Sequence, residues 1–482
     1  MTPGSFRRLR RAWVLTLALL AAARGPAPAA EAPLNVIVLD LCTTRADHFG
    51  SYGYQRDTTP HMDAFAKEGV LFENAMSMSG WCLPNYASLF TGHTPEVHGQ
   101  YRSLPSRKLP SFETTLAEML GRNGYATASF SGGVYFLKTW GMDQGFDTYV
   151  NFLSSGSTVP ATFQESMPTA LDWIETKKGG PFFLYVAVDD LHVPFQSEAP
   201  EHFEAGYDGI VHATDTRGVP FFRAYNRASR DELDPADPFA GRVREFSSDP
   251  RHLKHLVAHY DASLRTADER VGRFLDRLKK AGLWDKSLVI ITADHGELLG
   301  EHGMLGHTES LYEPVVRVPL MVRHPRLKGL AGRRLRHLVE RVDLMPTILD
   351  AAGIDGSGLE LQGKSLLPVL REPRRPLREY AYASSKRNLP GLEDPAIDER
   401  VIRDRRWKLH WYSYKPRFEL YDLAADPLEA RDLAGSRPEE VGRLSFELMK
   451  RVEAIRPHAP GLPSGRPRPT ELDEETRPEQ KR

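Results

Sequence analysis

Three short runs of almost unbroken apolar residues punctuate this chain: NVIVLDL (35–41), FFLYVAV (182–188) and SLVIITA (287–293). Each passes at once into polar residues, the pattern of a strand buried on both faces of a parallel sheet. Between them apolar positions recur at helical spacing, in SFETTLAEMLGRNG (111–124) and in HLVAHYDASLRTADERVGRFLDRLKKAG (255–282), the second closing on basic residues and a glycine as helix ends do. Strands alternating with helices predict a doubly wound α/β sheet, whose functional residues gather beyond the carboxyl ends of the strands. Those ends are chemically notable. The first runs into Cys42, the second into Asp189, Asp190 and His192, the third into Asp294 and His295.

The pattern weakens elsewhere. Residues 196–251 are polar and rich in Pro, Asp and Arg, which predicts an irregular surface excursion. From residue 379 a new unit is expected, with strand-like RRWKLHWYSY (405–414) and FELYDL (418–423) and a helix over PEEVGRLSFELMKRVEAI (438–455). At the start, Arg7, Arg8, Arg10 and Arg11 precede the apolar AWVLTLALLAAA, and Ala27-Pro28-Ala29 offers small residues for cleavage. Residues 1–30 therefore read as a signal peptide, leaving no stable membrane span after cleavage and a periplasmic or secreted protein. Residues 33–378 form the expected catalytic domain, 379–458 a C-terminal subdomain and 459–482 a tail too poor in apolar residues to fold.

With 482 residues, 41% hydrophobic, 26% charged and a net charge of −1, the composition is that of a globular protein and excludes a charge-driven nucleic-acid binder. Oligomeric state leaves no trace in it. Only two cysteines occur, Cys42 and Cys82. Export would allow them to be oxidised to each other.

NVIVLDLCTTRADHFGSYGYQRDTTPHMDAFAKEGVLFENAMS, CLPNYASLFTG (82–92), GFDTY, DLHVPF, ITADHGELLGEHGMLGH, LYEPVVRVPLMV, VDLMPTILDAAGI and ELYDLAADPLEARDLA follow in this order. In order and spacing the chain resembles the sulfatases of the alkaline phosphatase superfamily over nearly all of its mature length. The resemblance implies an alkaline-phosphatase-like, mainly parallel sheet flanked by helices, with a smaller C-terminal α+β subdomain. It also implies hydrolysis of an anionic sulfate ester, helped by one divalent cation.

In that family the Cys of C-x-P-x-R becomes formylglycine, whose hydrate sits on a divalent cation, usually calcium, and attacks sulfur. Cys82 and Pro84 hold their motif places, so formylglycine at Cys82 is one expectation, but the Arg position is Tyr86. Taken alone, Cys82 would read as a buried thiol. Trp81, Leu83, Ala87 and Ser88 also resemble relatives that carry Thr at the Cys position, where direct attack would favour phosphoesters. By the same resemblance Asp294 and His295 match the second pair of metal ligands. Cys42 stands where the first metal-binding Asp belongs, with Asp40 two residues earlier on the same strand face.

Cys42, Cys82, Asp294 and His295 would suit zinc better than calcium, which seeks six to eight oxygens and would need Asp40 to reach in. His192 and His307 resemble the residues that meet the ester oxygens, and His302, Tyr86 and Lys138 are further substrate-binding candidates. Arg45 reads as a pairing residue at the start of its helix. The expected function is therefore an exported sulfate ester hydrolase, with a phosphomonoester or phosphodiester hydrolase on the same scaffold and a catalytically silent binding protein as its alternatives.

Overall fold

A computed structural model describes residues 32–101, 108–153, 163–177, 179–188, 190–195, 199–212, 218–307, 310–387, 397–413 and 416–455. The expected signal peptide, the tail 459–482 and Asp189 lie outside the described residues. The described residues from Leu34 to Ile455 form one compact unit.

The three apolar runs become the middle of the main sheet. β1 (Asn35–Leu41) pairs in parallel with β5 (Phe182–Val188) on one side and β6 (Ser287–Thr292) on the other. Outward from β5 lie β3 (Ala126–Ser131) and β4 (Thr148–Asn151), both parallel to it. Outward from β6 lie β10 (Leu320–Arg323), antiparallel, then β2 (Val70–Met76) and β11 (Arg333–Glu340). A two-residue strand, β9 (Arg317–Val318), also pairs with β2, and β7 (Leu298–Leu299) and β8 (Leu305–Gly306) make a separate ribbon.

Alternate side chains of the central strands enter two different cores. Val36, Val38, Tyr185 and Ile290 face one layer, while Ile37, Leu39, Leu184 and Ile291 face the other. A period of two, buried on both sides, is why these runs read as unbroken apolar stretches. The first layer holds the helices Cys82–Thr91, Leu116–Arg122 and Leu344–Ala352. The second holds Pro60–Glu68 and the long helix Pro250–Lys280.

Two expectations need correction. The excursion over 196–251 contains the helices Val219–Ala228 and Ala240–Ser248, which bury Phe221, Phe222, Val243 and Phe246. Its Pro, Asp and Arg content concealed a few aromatic anchors large enough to fix short helices. The helix expected from residue 111 starts at Leu116, because Thr115 accepts from Glu118 N–H while Glu118 reaches back to Thr115 N–H, a reciprocal cap.

Near the C-terminus β12 (Ala381–Arg387), β13 (Ile397–Arg403), β14 (Trp407–Tyr412) and β15 (Arg417–Asp422) form an antiparallel sheet, backed by the helix Pro438–Ile455. Buried charges tie this sheet to the segment after residue 310. Lys408 Nζ donates to Leu311 O at 2.7 Å and pairs with Glu313 at 3.1 Å, and Arg403 meets the other Glu313 oxygen at 2.7 Å. Among the described residues no helix is long and apolar enough to cross a membrane.

His98 gives the fold a pH dependence. Its Nδ1 accepts from Gln100 N–H at 3.0 Å and its Nε2 lies 3.0 Å from Ser88 Oγ, so a proton on Nδ1 would break the first contact. Burial pushes its pKa down to about 3. The native state therefore resists a proton that the unfolded chain takes near pH 6.5, and this contribution, present above 6.5, is lost as pH falls toward 3. His98→Gln is expected to flatten the stability–pH curve between 6 and 4 by up to about 1.4 kcal/mol per pH unit in denaturant titrations. An unchanged slope would refute the assignment.

Candidate metal and ester site

Cys82 opens a helix whose ten residues are all buried, so the segment is placed by packing on every side. Asn85 shapes the turn before it: Oδ1 accepts from Met78 N–H at 2.8 Å, and Nδ2 donates to Trp81 O at 2.9 Å. The thiol thus sits at a helix N-terminus, where the peptide dipoles favour negative charge.

Across from it the chain leaves β1 through Cys42 and Thr43. Thr43 has φ +54°, a left-handed conformation that costs a β-branched residue about 1–3 kcal/mol and tends to persist where function needs it. The turn aims Thr43 N–H at Asp294 Oδ1, 3.0 Å away, and that oxygen also accepts from His295 N–H at 2.7 Å. Asp294 Oδ2 is left facing Cys42 Sγ at 3.4 Å and His295 Nε2 at 3.5 Å. Cys82 Sγ lies 3.1 Å from His295 Nε2 and 3.8 Å from Cys42 Sγ. One donor atom from each of these four buried residues lies within 4.8 Å of the others.

The tautomer of His295 follows from its partner. Nδ1 lies 2.8 Å from Gly296 O, a carbonyl that only accepts, so Nδ1 carries the proton and Nε2 turns its lone pair to the cluster. Burial lowers its pKa to about 4, which keeps the ring neutral. Burial also opposes the charge on Asp294, but Arg341 and the N–H groups of Thr43 and His295 outweigh it and hold the carboxyl below its usual range. Gly296 must be glycine here, since a Cβ would stand 2.1 Å from Pro314 O.

His307 and His192 flank the cluster. The His307 ring centroid is 4.4 Å from that of His295 and 5.2 Å from that of His192. Glu297 Oε2, 3.0 Å from His307 Nδ1, orients the ring, and Trp81 stands 5.7 Å away. Burial pushes the Glu297 carboxyl up to about 8.

Other candidates are placed elsewhere. Asp40 is held by the Arg341 guanidinium and by Tyr185 OH at 2.6 Å, so it does not reach in as a ligand. His302 stacks on Tyr312 at 3.6 Å and its Nε2 lies 3.1 Å from Leu428 O, outside the cluster. Lys138 is exposed. Tyr86 is buried against Phe136, 4.4 Å between centroids, with Arg341 Cζ 6.0 Å from its ring. Arg45 pairs with Asp47 at 2.8 Å and Glu301 at 2.7 Å, and Asp190 with Arg270 at 2.5 Å.

Sequence reasoning missed Arg341 and Glu297. Glu297 had a signal, two residues after His295 in DHGE. Arg341 had none: it reaches Asp40 across 301 positions of sequence.

The family described as Sulfatase matches residues 35–354, and the one described as N-sulphoglucosamine sulphohydrolase, C-terminal, matches 300–458. Arylsulfatase K of Xenopus laevis is 25% identical over 436 residues, covering 82% of this chain and 78% of its own length. The N-acetylglucosamine-6-O-sulfatase of Bacteroides thetaiotaomicron is 25% identical over 486 residues, covering 87% and 85%. The crystal structure of a phosphonate monoester hydrolase of Agrobacterium radiobacter superposes with a TM-score of 0.68 at 25% identity, covering 89% of this chain and 96% of its own. Fold and site define a hydrolase of the alkaline phosphatase superfamily. Within it the chain belongs to the sulfatase family, whose reaction is hydrolysis of sulfate esters.

The donors do not fit the family's pairing of formylglycine hydrate with calcium. Calcium seeks six to eight oxygens, whereas the cluster offers one carboxylate oxygen, one imidazole nitrogen and two sulfurs, with Asp40 engaged elsewhere. The motif's arginine is absent, and the nearby cation, Arg341, enters from another element.

Arg341 Nη1 donates to Ala293 O at 2.7 Å and Nε to Asn85 O at 2.8 Å, besides pairing with Asp40. Arg341→Met leaves Asp40 buried without its cation, with only the Tyr185 hydroxyl donating to it. It is expected to cost about 3–5 kcal/mol in chemical denaturation. A loss below about 1 kcal/mol would show that the pair is not structural.

Proposed function

We propose that this chain hydrolyses the sulfate ester of a sugar-type anionic substrate at the pocket beside Cys82, and that it acts outside the cytoplasm. The convergence of Cys42, Cys82, Asp294 and His295 at the strand ends, with His307 and His192 alongside, carries the reading. Sugar sulfates are favoured by the N-acetylglucosamine-6-O-sulfatase relative, and export by the basic and apolar start of the chain.

In this reading a water molecule on the Cys82 side attacks the ester sulfur, its oxygen forming the new S–O bond as the bond to the alcohol breaks. His192 binds a non-bridging oxygen, and His307, its Nδ1 face fixed by Glu297, gives its Nε2 proton to the departing alcohol; of the water's two protons one restores His307 and the other passes to solvent, leaving sulfate. Proton donation matters most for a poor leaving group such as a sugar hydroxyl. A phosphonate or phosphate ester hydrolase is the second reading, favoured by the buried neutral Tyr86 at the motif's Arg position and by the phosphonate monoester hydrolase neighbour.

The test compares wild type and His307→Ala on a sulfated glucosamine, 4-nitrophenyl sulfate and a phenylphosphonate monoester. The variant is expected to lose about 10²–10⁴-fold in kcat/KM on the sugar sulfate and far less on the nitrophenyl ester, whose leaving group needs no proton. Equal losses on both would remove the acid role. A phosphonate rate above the sulfate rate would install the second reading.

A further inference from the structure

The misfit between these donors and calcium has a positive side. We propose that Cys42, Cys82, Asp294 and His295 form a four-donor site for a zinc-class divalent ion, with Cys82 bound as a thiolate and not converted to formylglycine. The proposal rests on the same cluster as the hydrolase reading but not on hydrolysis itself.

The spacing of the donor atoms is the first argument. Zinc binds thiolate sulfur at about 2.3 Å and nitrogen or carboxylate oxygen at about 2.0–2.1 Å, tetrahedrally. A tetrahedron with those arms has a sulfur–sulfur edge of about 3.8 Å, sulfur–oxygen and sulfur–nitrogen edges of about 3.5 Å and a nitrogen–oxygen edge of about 3.3 Å. The corresponding distances are 3.8 Å between Cys42 and Cys82, 3.4 Å from Cys42 to Asp294, 3.1 Å from Cys82 to His295 and 3.5 Å from His295 to Asp294. The other two pairs lie within 4.8 Å.

The surroundings point the same way. His295 gives its Nδ1 proton to Gly296 O and presents Nε2, as metal-bound histidines do. Asp294 commits Oδ1 to two backbone N–H groups and keeps Oδ2 for the cluster. Two sulfurs select a soft or borderline ion over calcium or magnesium. Cys82 also gains from the helix end behind it. Binding exchanges two thiol protons for the cation: Zn²⁺ and two S–H groups give the dithiolate complex and two H⁺, with no electron transferred.

The full chain, purified without added chelator, is expected to hold one equivalent of zinc and no calcium by elemental analysis, with the Cys82 peptide at its unmodified mass. Cobalt(II) exchanged into the protein should give sulfur-to-cobalt charge-transfer bands in the near ultraviolet. Cys42→Ser and Cys82→Ser should each weaken those bands and lower zinc affinity by more than about 100-fold. Should either variant misfold, the wild-type metal content and cobalt spectrum decide the matter unaided. Bound calcium, an aldehyde at position 82 or a cobalt spectrum without sulfur bands would overturn the proposal. Zinc bound to a protein inert toward sulfate esters would uphold it while removing the hydrolase reading. Sulfate hydrolysis with formylglycine and calcium would do the reverse.

Discussion

One guanidinium holds the three pieces of the site together. Arg341 donates to the side chain of Asp40 on β1, to the carbonyl of Ala293 just beyond β6 and to the carbonyl of Asn85 in the helix that Cys82 opens. Each of these carries one or more of the clustered donors a few residues away. Because the group is planar with donors in fixed directions, it sets relative positions as well as neutralising charge. Its burial beside Asp40 and Tyr185 makes the arrangement all-or-none, since any partner removed leaves a buried charge or carbonyl unsatisfied.

A second tie runs from the small C-terminal sheet. Lys408 and Arg403 fix Glu313, and the next two residues meet the loop after His295, where Gly296 and Glu297 N–H donate to Val315 O and Pro314 O at 2.7 and 3.1 Å. The close approach that demands a glycine at 296 is the same contact. The C-terminal sheet thus bears on the carbonyl that fixes the His295 tautomer, though it contributes none of the four donors.

The central strands were legible because burial on both faces leaves an unbroken apolar run, as in 35–41, 182–188 and 287–292. The strands beyond β6 were not. β11, at the sheet edge, reads RRLRHLVE, with three exposed arginines in its first half, and β10, inside the sheet, is only four residues long. At the site, loops after legible strands gave Cys42, Asp294 and His295, and the motif after residue 81 gave Cys82. What stayed hidden was contact without local pattern: Arg341 against Asp40, and the stacking of His302 on Tyr312 that takes a histidine of GEHG away from the cluster.

The order in which the donors are made adds a constraint of time. Cys82 precedes His295 by 213 residues, and Cys42 stands a further 40 before Cys82. At about 5–20 residues per second, synthesis takes about 10–40 s between the second thiol and the imidazole. For that interval the two sulfurs exist without the nitrogen and oxygen that complete their set. A nascent chain that met an oxidant then would pair its cysteines with each other before β6 had been made, so the state of the mature centre depends on where and when the first eighty residues are exposed.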